Sequence, residues 1–172
     1  MSGPDRGAVL SADGTYRYSL TRSWPVDEST TTDPLRSVAW VMLNPSIADA
    51  QVDDPTIRRV VGFTRRLGYR RAVVVNLYAY RATKPRMLDE VVATGGDPVG
   101  PDNDAMLDVV LSEAGLVVAA WGAHEGTQDR VVRLRGLAAA HGHRLHCLGR
   151  TKAGHPRHPL YLPLLAPLEP LP

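Results

Sequence analysis

The fold of this chain is decided by residues 38–46, which read VAWVMLNPS. Six apolar residues come first, and a polar Asn-Pro-Ser turn follows them. An apolar run without polar alternation is typical of a strand buried on both faces, as the strands of a parallel sheet are. Similar runs follow at residues 72–77, 116–121 and 144–149. The four runs therefore predict four strands of one small sheet.

Helical patterns separate these runs. Asp54 followed by Pro55 is typical of an N-cap and a first helical position, and apolar residues from Ile57 to Leu67 then repeat at helical spacing. Further helices are predicted at residues 85–92, 101–113 and 127–140. Because strands alternate with helices, we predict an α/β protein, a three-layer α/β/α sandwich with a small, mainly parallel four-stranded sheet.

The remaining segments flank this core. We expect residues 1–37 to form an N-terminal edge strand, at 16–23, and a loop with a polar turn region at 27–34. Residues 38–162 are predicted to form a single catalytic domain, and residues 163–172 a Pro/Leu-rich tail along the surface.

Composition narrows the class of protein. The length of 172 residues suits one domain, and a single cysteine, Cys147, excludes an internal disulfide. The sequence shows neither the apolar core of a signal peptide nor a run of about 18 apolar residues that would span a membrane. We therefore expect a cytoplasmic monomer without a metal, a cofactor or a membrane partner.

Basic residues are unevenly distributed, although the net charge is only +2. Between Pro55 and Leu88 there are nine basic residues and no acid. Two explanations fit this stretch. It is either an ordinary solvated helix face in an arginine-rich chain or a surface that contacts phosphates. Both explanations remain open at this point.

Polar side chains follow the predicted strands where each one ends. Asn44 and Ser46 follow the first run, and Asn76 and Tyr78 lie at the end of the second. A loop with two histidines, residues 154–161, follows the fourth. Ligands of open parallel sheets bind beyond the carboxyl ends of the strands, so we expect these groups to meet at one edge.

These segments resemble motifs of the uracil-DNA glycosylase superfamily, in the same order. Residues 43–46, LNPS, are similar to the Gly-Ile-Asn-Pro-Gly loop of its mismatch-specific branch. Residues 73–77, VVVNL, resemble its strand that ends in a base-reading asparagine. Residues 118–123, VAAWGA, resemble the strand ending in Leu-Trp-Gly, and His158-Pro159-Leu160 resembles the His-Pro-Ser-Pro-Leu loop.

Over residues 37–162 the chain is also identified as a member of an uncharacterised bacterial family, DUF1643. The family pattern includes Asn-Pro-Ser, Asp-Asp-Pro-Thr and Gly-x-Pro-x-His-Pro-Leu-Tyr, which this chain carries at residues 44–46, 53–56 and 154–161.

The resemblance implies a uracil-DNA glycosylase-like fold and a monofunctional hydrolase that cleaves the N-glycosidic bond of a modified or damaged base. It implies that Asn44 positions a water, Asn76 reads the base and His158 stabilises the departing base. An asparagine is a poor proton acceptor, so Asp49, Asp53 or Asp54 is needed if a true base takes part. The predicted catalytic residues are Asn44, His158, Asp49 and Asp53, and the predicted base-binding residues are Asn76, Ser46, Tyr78 and Asp54.

Single- or double-stranded DNA is the implied partner. By the resemblance, Leu160 and Tyr161 enter the duplex when a base is flipped out. The predicted contacts to nucleic acid are Arg58, Arg65, Arg150, Lys152, Arg157, Leu160 and Tyr161. Where better-known members of the superfamily carry an aromatic residue, this chain has the carboxylate-rich residues 49–55, which suit a base bearing amino or hydroxyl groups.

Two alternatives remain open. One is an N-glycosidase or base-transferase on free nucleotides or nucleosides. The other is a non-catalytic nucleic-acid-binding protein with this fold. For a DNA glycosylase, base-excision repair and defence against phages with modified DNA are equally compatible with the sequence.

Overall fold

A computed structural model describes residues 5–25 and 37–172. The strands are β1 (Arg6–Leu10), β2 (Arg17–Ser23), β3 (Ser37–Met42), β4 (Arg71–Asn76), β5 (Ala114–Ala119), β6 (Leu145–Cys147) and β7 (Glu169–Pro170). The helices are α1 (Pro55–Arg66), α2 (Arg86–Ala93), α3 (Asn103–Glu113) and α4 (Gln128–Ala140). A short 3-10 helix spans Pro159–Tyr161.

All seven strands form one sheet, in the order β1-β2-β4-β3-β5-β6-β7. The four predicted strands are its centre, β4-β3-β5-β6, and all three pairings among them are parallel. The outer pairings are antiparallel. The α/β class and the parallel core are thus confirmed, but the expected four-stranded sheet is too small.

The two strands that we did not predict, β1 and β7, carry weak sequence signals. β1 is half-exposed and β7 has only two residues, so neither shows the long apolar run of a central strand. The single N-terminal edge strand that we expected is in fact the inner strand of a hairpin, with β1 at the edge. The predicted turn region at residues 27–34 lies outside the described residues.

Helices cover both faces of the sheet, as predicted. Helices α2, α3 and α4 pack on one face with Leu88, Leu107 and Leu134. Helix α1 packs on the other through Ile57, Val60 and Phe63. Asp54 caps α1 and Pro55 begins it, as the sequence indicated.

The C-terminal tail lies mostly on the surface, as we expected, but two of its residues are buried. Ala166 is buried against the α1 face, as is Leu162 just before the tail, and Leu171 is buried on the opposite face. β7 then pairs with β6. Ala166 and Leu171 thus anchor a Pro/Leu-rich segment whose other residues are exposed or half-exposed.

A buried hydrogen bond ties β3 to α1. The indole Nε1 of Trp40 donates to the hydroxyl oxygen of Thr64 at 2.9 Å, and that hydroxyl donates to the carbonyl of Val60 at 2.8 Å. Trp40 and Thr64 are both fully buried. A buried donor that loses its acceptor has no water to replace it.

We predict that Thr64→Val lowers the free energy of unfolding by about 1–3 kcal/mol, because the indole N–H of Trp40 loses its acceptor. Thr64→Ser keeps the hydroxyl and loses one methyl group, at a cost of about 1 kcal/mol. Denaturant unfolding followed by circular dichroism measures both. A Val variant as stable as the Ser variant would contradict the assignment of this bond.

Candidate functional site

A cavity of about 410 Å³ opens at the carboxyl ends of β3 and β5. We call it the sheet-end pocket. β4 and β5 lie on opposite sides of β3, so the sheet order reverses here, which is where open α/β sheets bind ligands. Its lining comes from five segments: residues 42–47, 54–56, 82–85, Trp121 and residues 158–161.

Asn44 presents a free carbonyl oxygen at this pocket. Its amide nitrogen donates to the backbone carbonyls of Pro45 at 3.0 Å and Ala82 at 2.8 Å. The N–H of Ala82 in turn bonds to the carbonyl of Pro45 at 2.9 Å, which holds the two loops together. The side-chain oxygen of Asn44 has no partner in residues 5–25 and 37–172, so it is available to accept a hydrogen bond from a bound molecule.

Asp54 supplies a carboxylate to the same pocket. One of its oxygens accepts the N–H of Ile57 at 2.8 Å, as the cap of α1. Of the three aspartates weighed as a base, only Asp54 lines the pocket. Helix capping fixes its position, and the second oxygen is left for a ligand or a water.

Asp49 and Asp53 have other partners. One oxygen of Asp49 accepts the N–H groups of Gln51 and Val52, which hold the pKa of that carboxyl below its usual range. Asp53 forms ion pairs with Arg22 at 2.7 Å and Arg6 at 3.2 Å. Neither predicted catalytic aspartate lines the sheet-end pocket, and both instead shape the loop that leads to Asp54.

His158 faces the pocket from the last loop, directly before the 3-10 helix. Its Nδ1 accepts the N–H of Leu160 at 3.3 Å, so a neutral ring carries its proton on Nε2. Burial lowers the pKa of His158 below 6.5, and the negative charge of Asp54 opposes this shift. At neutral pH the ring is therefore an uncharged Nε2–H donor.

Asn76 lies outside the pocket, contrary to our expectation that Asn44, Asn76 and His158 surround one cavity. It pairs with Met42 at the end of β4 and is only 1% exposed. Neither polar atom of its side chain has a hydrogen-bond partner in the described part of the chain. The structure brings Asn44 and His158 together and leaves Asn76 buried in the sheet.

The structure also separates Ser46 from Tyr78, both of which we predicted to bind the base. Ser46 lines the sheet-end pocket. Tyr78 lines a different cavity of about 310 Å³ together with Asp89 and His124, and its hydroxyl donates to the carbonyl of Gly126 at 3.1 Å.

The mouth of the sheet-end pocket has an apolar rim. Tyr161, which we predicted to contact DNA, is 81% exposed, and Leu160 lines the wall beside it. Ile47, from the loop after β3, is 62% exposed and lines the same pocket. We did not predict Ile47, although an exposed apolar residue directly after Asn-Pro-Ser was a signal for it. Trp121 was also missed, although it lies only two residues beyond β5.

Several arginines of the basic stretch bind the chain itself. Arg59 and Arg66 donate to the carbonyls of Leu162 and Ala166 in the tail. Arg65 stacks on the ring of Trp24 at 4.8 Å. Arg58 is exposed and donates to the carbonyl of Asp53 at 2.9 Å. An ordinary solvated helix face thus explains only some of these arginines, because others on α1 hold the tail.

The remaining predicted phosphate contacts lie on the loop after β6. Lys152 and Arg157 are exposed. Arg150 pairs with Glu169 at 3.2 Å and lines a separate cavity. Among the described residues there is no group of three potential metal ligands, and no helix is long and apolar enough to cross a membrane.

The comparisons with known proteins identify a family and nothing closer. The model of "Protein of unknown function (DUF1643)" matches residues 17–160. No curated protein and no solved structure matches the chain. None of the comparisons supports the resemblance to the uracil-DNA glycosylase superfamily. The family match covers well over half of the sequence, and the chain therefore belongs to DUF1643.

Proposed function

We propose that this protein is a hydrolase that cleaves the N-glycosidic bond of a modified or damaged base in DNA. One observation carries the proposal: Asn44, Asp54 and His158, from three separate segments, line a single pocket at the reversal point of the sheet. Two of them offer hydrogen-bond acceptors and the third offers a donor, as the hydrolysis of such a bond requires.

The proposed reaction uses each group once. The free carbonyl of Asn44 orients a water, and the carboxylate of Asp54 accepts its proton as the water oxygen bonds to C1′ of the sugar. The bond between C1′ and the base nitrogen breaks, and the base leaves with the electron pair. The Nε2–H of His158 donates a hydrogen bond to the departing base and stabilises its negative charge.

The hydrogen-bonding groups in the wall of the sheet-end pocket also favour a base that carries donors. The free oxygens of Asp54 and Asn44 each have a second lone pair beside the one that faces the water, and this lone pair can accept a hydrogen bond from an exocyclic amino or hydroxyl group of the base. Trp121 adds an apolar surface, and the cavity volume of about 410 Å³ is in the range of small-molecule sites. A base that carries donors, such as a modified cytosine, suits this wall better than uracil.

Two features of the rim favour DNA over a free nucleotide. Ile47 and Tyr161 present exposed apolar side chains at the mouth, and such side chains fill the gap that a flipped base leaves in a duplex. Basic residues within two positions of the lining residues are exposed as well, namely Arg58, Lys84, Arg86 and Arg157.

One observation favours the free-nucleotide alternative. Arg59 and Arg66 are occupied by tail carbonyls, so α1 offers fewer cations to a DNA backbone than its sequence indicates. If DNA is the substrate, binding should weaken steeply as salt rises, because phosphate contacts release counterions. Fluorescence anisotropy with a labelled duplex between low and moderate salt measures this slope. A flat salt response would favour the free nucleotide.

We predict that Asp54→Asn lowers the rate of base release by about 100-fold or more, because the amide no longer accepts a proton. The fold should remain, since asparagine caps helices as well as aspartate does. Incubation with a panel of base-modified DNAs, followed by hot alkali, reveals abasic sites.

Asp49→Asn is the matched control, because it removes a nearby charge outside the pocket and keeps a side-chain oxygen for the N–H groups of Gln51 and Val52. It should release base at the rate of the original protein. The absence of base release from every DNA in the panel would refute the proposed function, as would equal rates for Asn44→Ala, Asp54→Asn and the original protein.

His158 gives a prediction about pH. Its pKa is lowered in the folded state, so the unfolded chain binds more protons as pH falls through about 6.5. The free energy of unfolding should therefore decrease below that pH. In His158→Asn, whose side-chain oxygen takes the place of Nδ1 as acceptor for Leu160, this decrease should be smaller. Urea unfolding at pH 7.5 and pH 5.5 compares the two proteins, and identical pH dependence would contradict the assigned burial.

A further inference from the structure

A second cavity, of about 460 Å³, is also lined by Trp121. It is bounded by α4, by the loop at residues 150–156 and by residues 171–172, and we call it the α4 pocket. Trp121 is 4% exposed and lines both this cavity and the sheet-end pocket. The two cavities therefore share Trp121 as a lining residue.

The two cavities differ in charge. The α4 pocket is lined by Arg135, Arg150 and His155, and no Asp or Glu occurs among its lining residues in the described part of the chain. The lining of the sheet-end pocket contains Asp54, and within the same described ranges it contains no arginine or lysine. A ligand that occupies both cavities would thus meet acceptors at one end and cations at the other.

The arginines of the α4 pocket keep donors available. Arg150 bonds to Glu169 through Nε, and its two terminal nitrogens have no partner among the described residues. Arg135 uses one terminal nitrogen for the carbonyl of Pro172. Thr127 and Gln128, at the start of the 13-residue helix α4, line the same cavity, where the helix dipole adds to the positive potential.

We propose that the α4 pocket binds the phosphate of the nucleotide whose base occupies the sheet-end pocket. This inference rests on the proposed function, because it assigns the neighbouring cavity to a base. A nucleotide joins a base with hydrogen-bond donors to an anionic phosphate ester, and the two cavities lined by Trp121 match these two ends. The phosphate is either the terminal group of a free nucleotide or a diester of a DNA strand.

Direct binding tests this site without any need for catalysis. Isothermal titration calorimetry with deoxyribose 5-phosphate probes a terminal phosphate. A single-stranded trinucleotide with an abasic tetrahydrofuran centre probes a diester, and deoxyribose is the control without phosphate. The tighter of the two phosphate probes identifies the source of the ligand.

Arg135→Gln should weaken binding of the tighter phosphate probe by about ten-fold, because the loss of one hydrogen bond to a charged group lowers affinity by about that factor. Adding Arg150→Gln should weaken binding further. The single variant leaves the pair of Arg150 and Glu169 in place, so a loss of folding in the double variant does not remove the test. Arg133→Gln is the matched control, because Arg133 lies on the same helix outside the pocket and pairs with Asp104.

Phosphate probes that bind no better than deoxyribose would overturn this site, and so would an Arg133→Gln variant that loses as much affinity as Arg135→Gln. If binding depends on Arg135 but no DNA releases a base, the phosphate site stands and the proposed hydrolysis fails. If base release occurs at the same rate in Arg135→Gln and phosphate binding is unchanged, the hydrolysis stands and the phosphate site fails.

Discussion

The structure depends on one constraint, the burial of β3 between two parallel neighbours. All six residues of Ser37–Met42 are buried, and the strand pairs with β4 on one side and β5 on the other. Parallel pairing brings the carboxyl ends of all four central strands to the same edge. Because the chain leaves β3 towards α1 and leaves β5 towards α4, on opposite faces, a gap opens between the two ends. Asn44 follows directly from this arrangement, since it lies two residues beyond β3.

Arginine side chains fix the loops that complete the site. Arg17, Arg22 and Arg6 donate to the backbone carbonyls of Ala48, Asp49 and Gln51, which ties the loop before Asp54 to β1 and β2. Burial lowers the pKa of Arg17 to about 10, so it remains charged at neutral pH. Arg59 and Arg66 hold the tail beyond His158 in the same way. A planar guanidinium with several donors serves this purpose better than lysine, which gives the arginine excess a structural cause.

Much of the fold was predictable, because continuous apolar runs and capping residues act locally. Residues 38–43, 72–77 and 116–121 each contain a buried parallel strand, and Asp54 with Pro55 marks the start of α1. β1 and β7 were not predictable in this way, since a short edge strand is stabilised by its neighbour and not by its own apolar pattern. The burial of Ala166 and Leu171 in the tail was not predictable for a related reason, because it depends on the apolar surface that the folded core offers them.

The candidate site was predictable in part. Asn44, Ser46 and His158 follow strands and belong to sequence motifs, and they do line one pocket. The choice among Asp49, Asp53 and Asp54 was not accessible, because it depends on distant partners. Asp53 pairs with Arg6 and Arg22 of the β1–β2 hairpin, and Asp49 turns its carboxylate to the backbone of its own loop. Asn76 was placed at the pocket because it ends a strand, but its side chain is buried in the sheet.

The central claim is that a water held at Asn44 and Asp54 attacks the sugar while the base departs beside His158. Mass spectrometry of the products formed in H₂¹⁸O tests it most directly, with a DNA that carries a modified base. The account predicts a free base and a sugar that carries one ¹⁸O atom at C1′. Failure to release the base, or release with no ¹⁸O in the sugar, would contradict it.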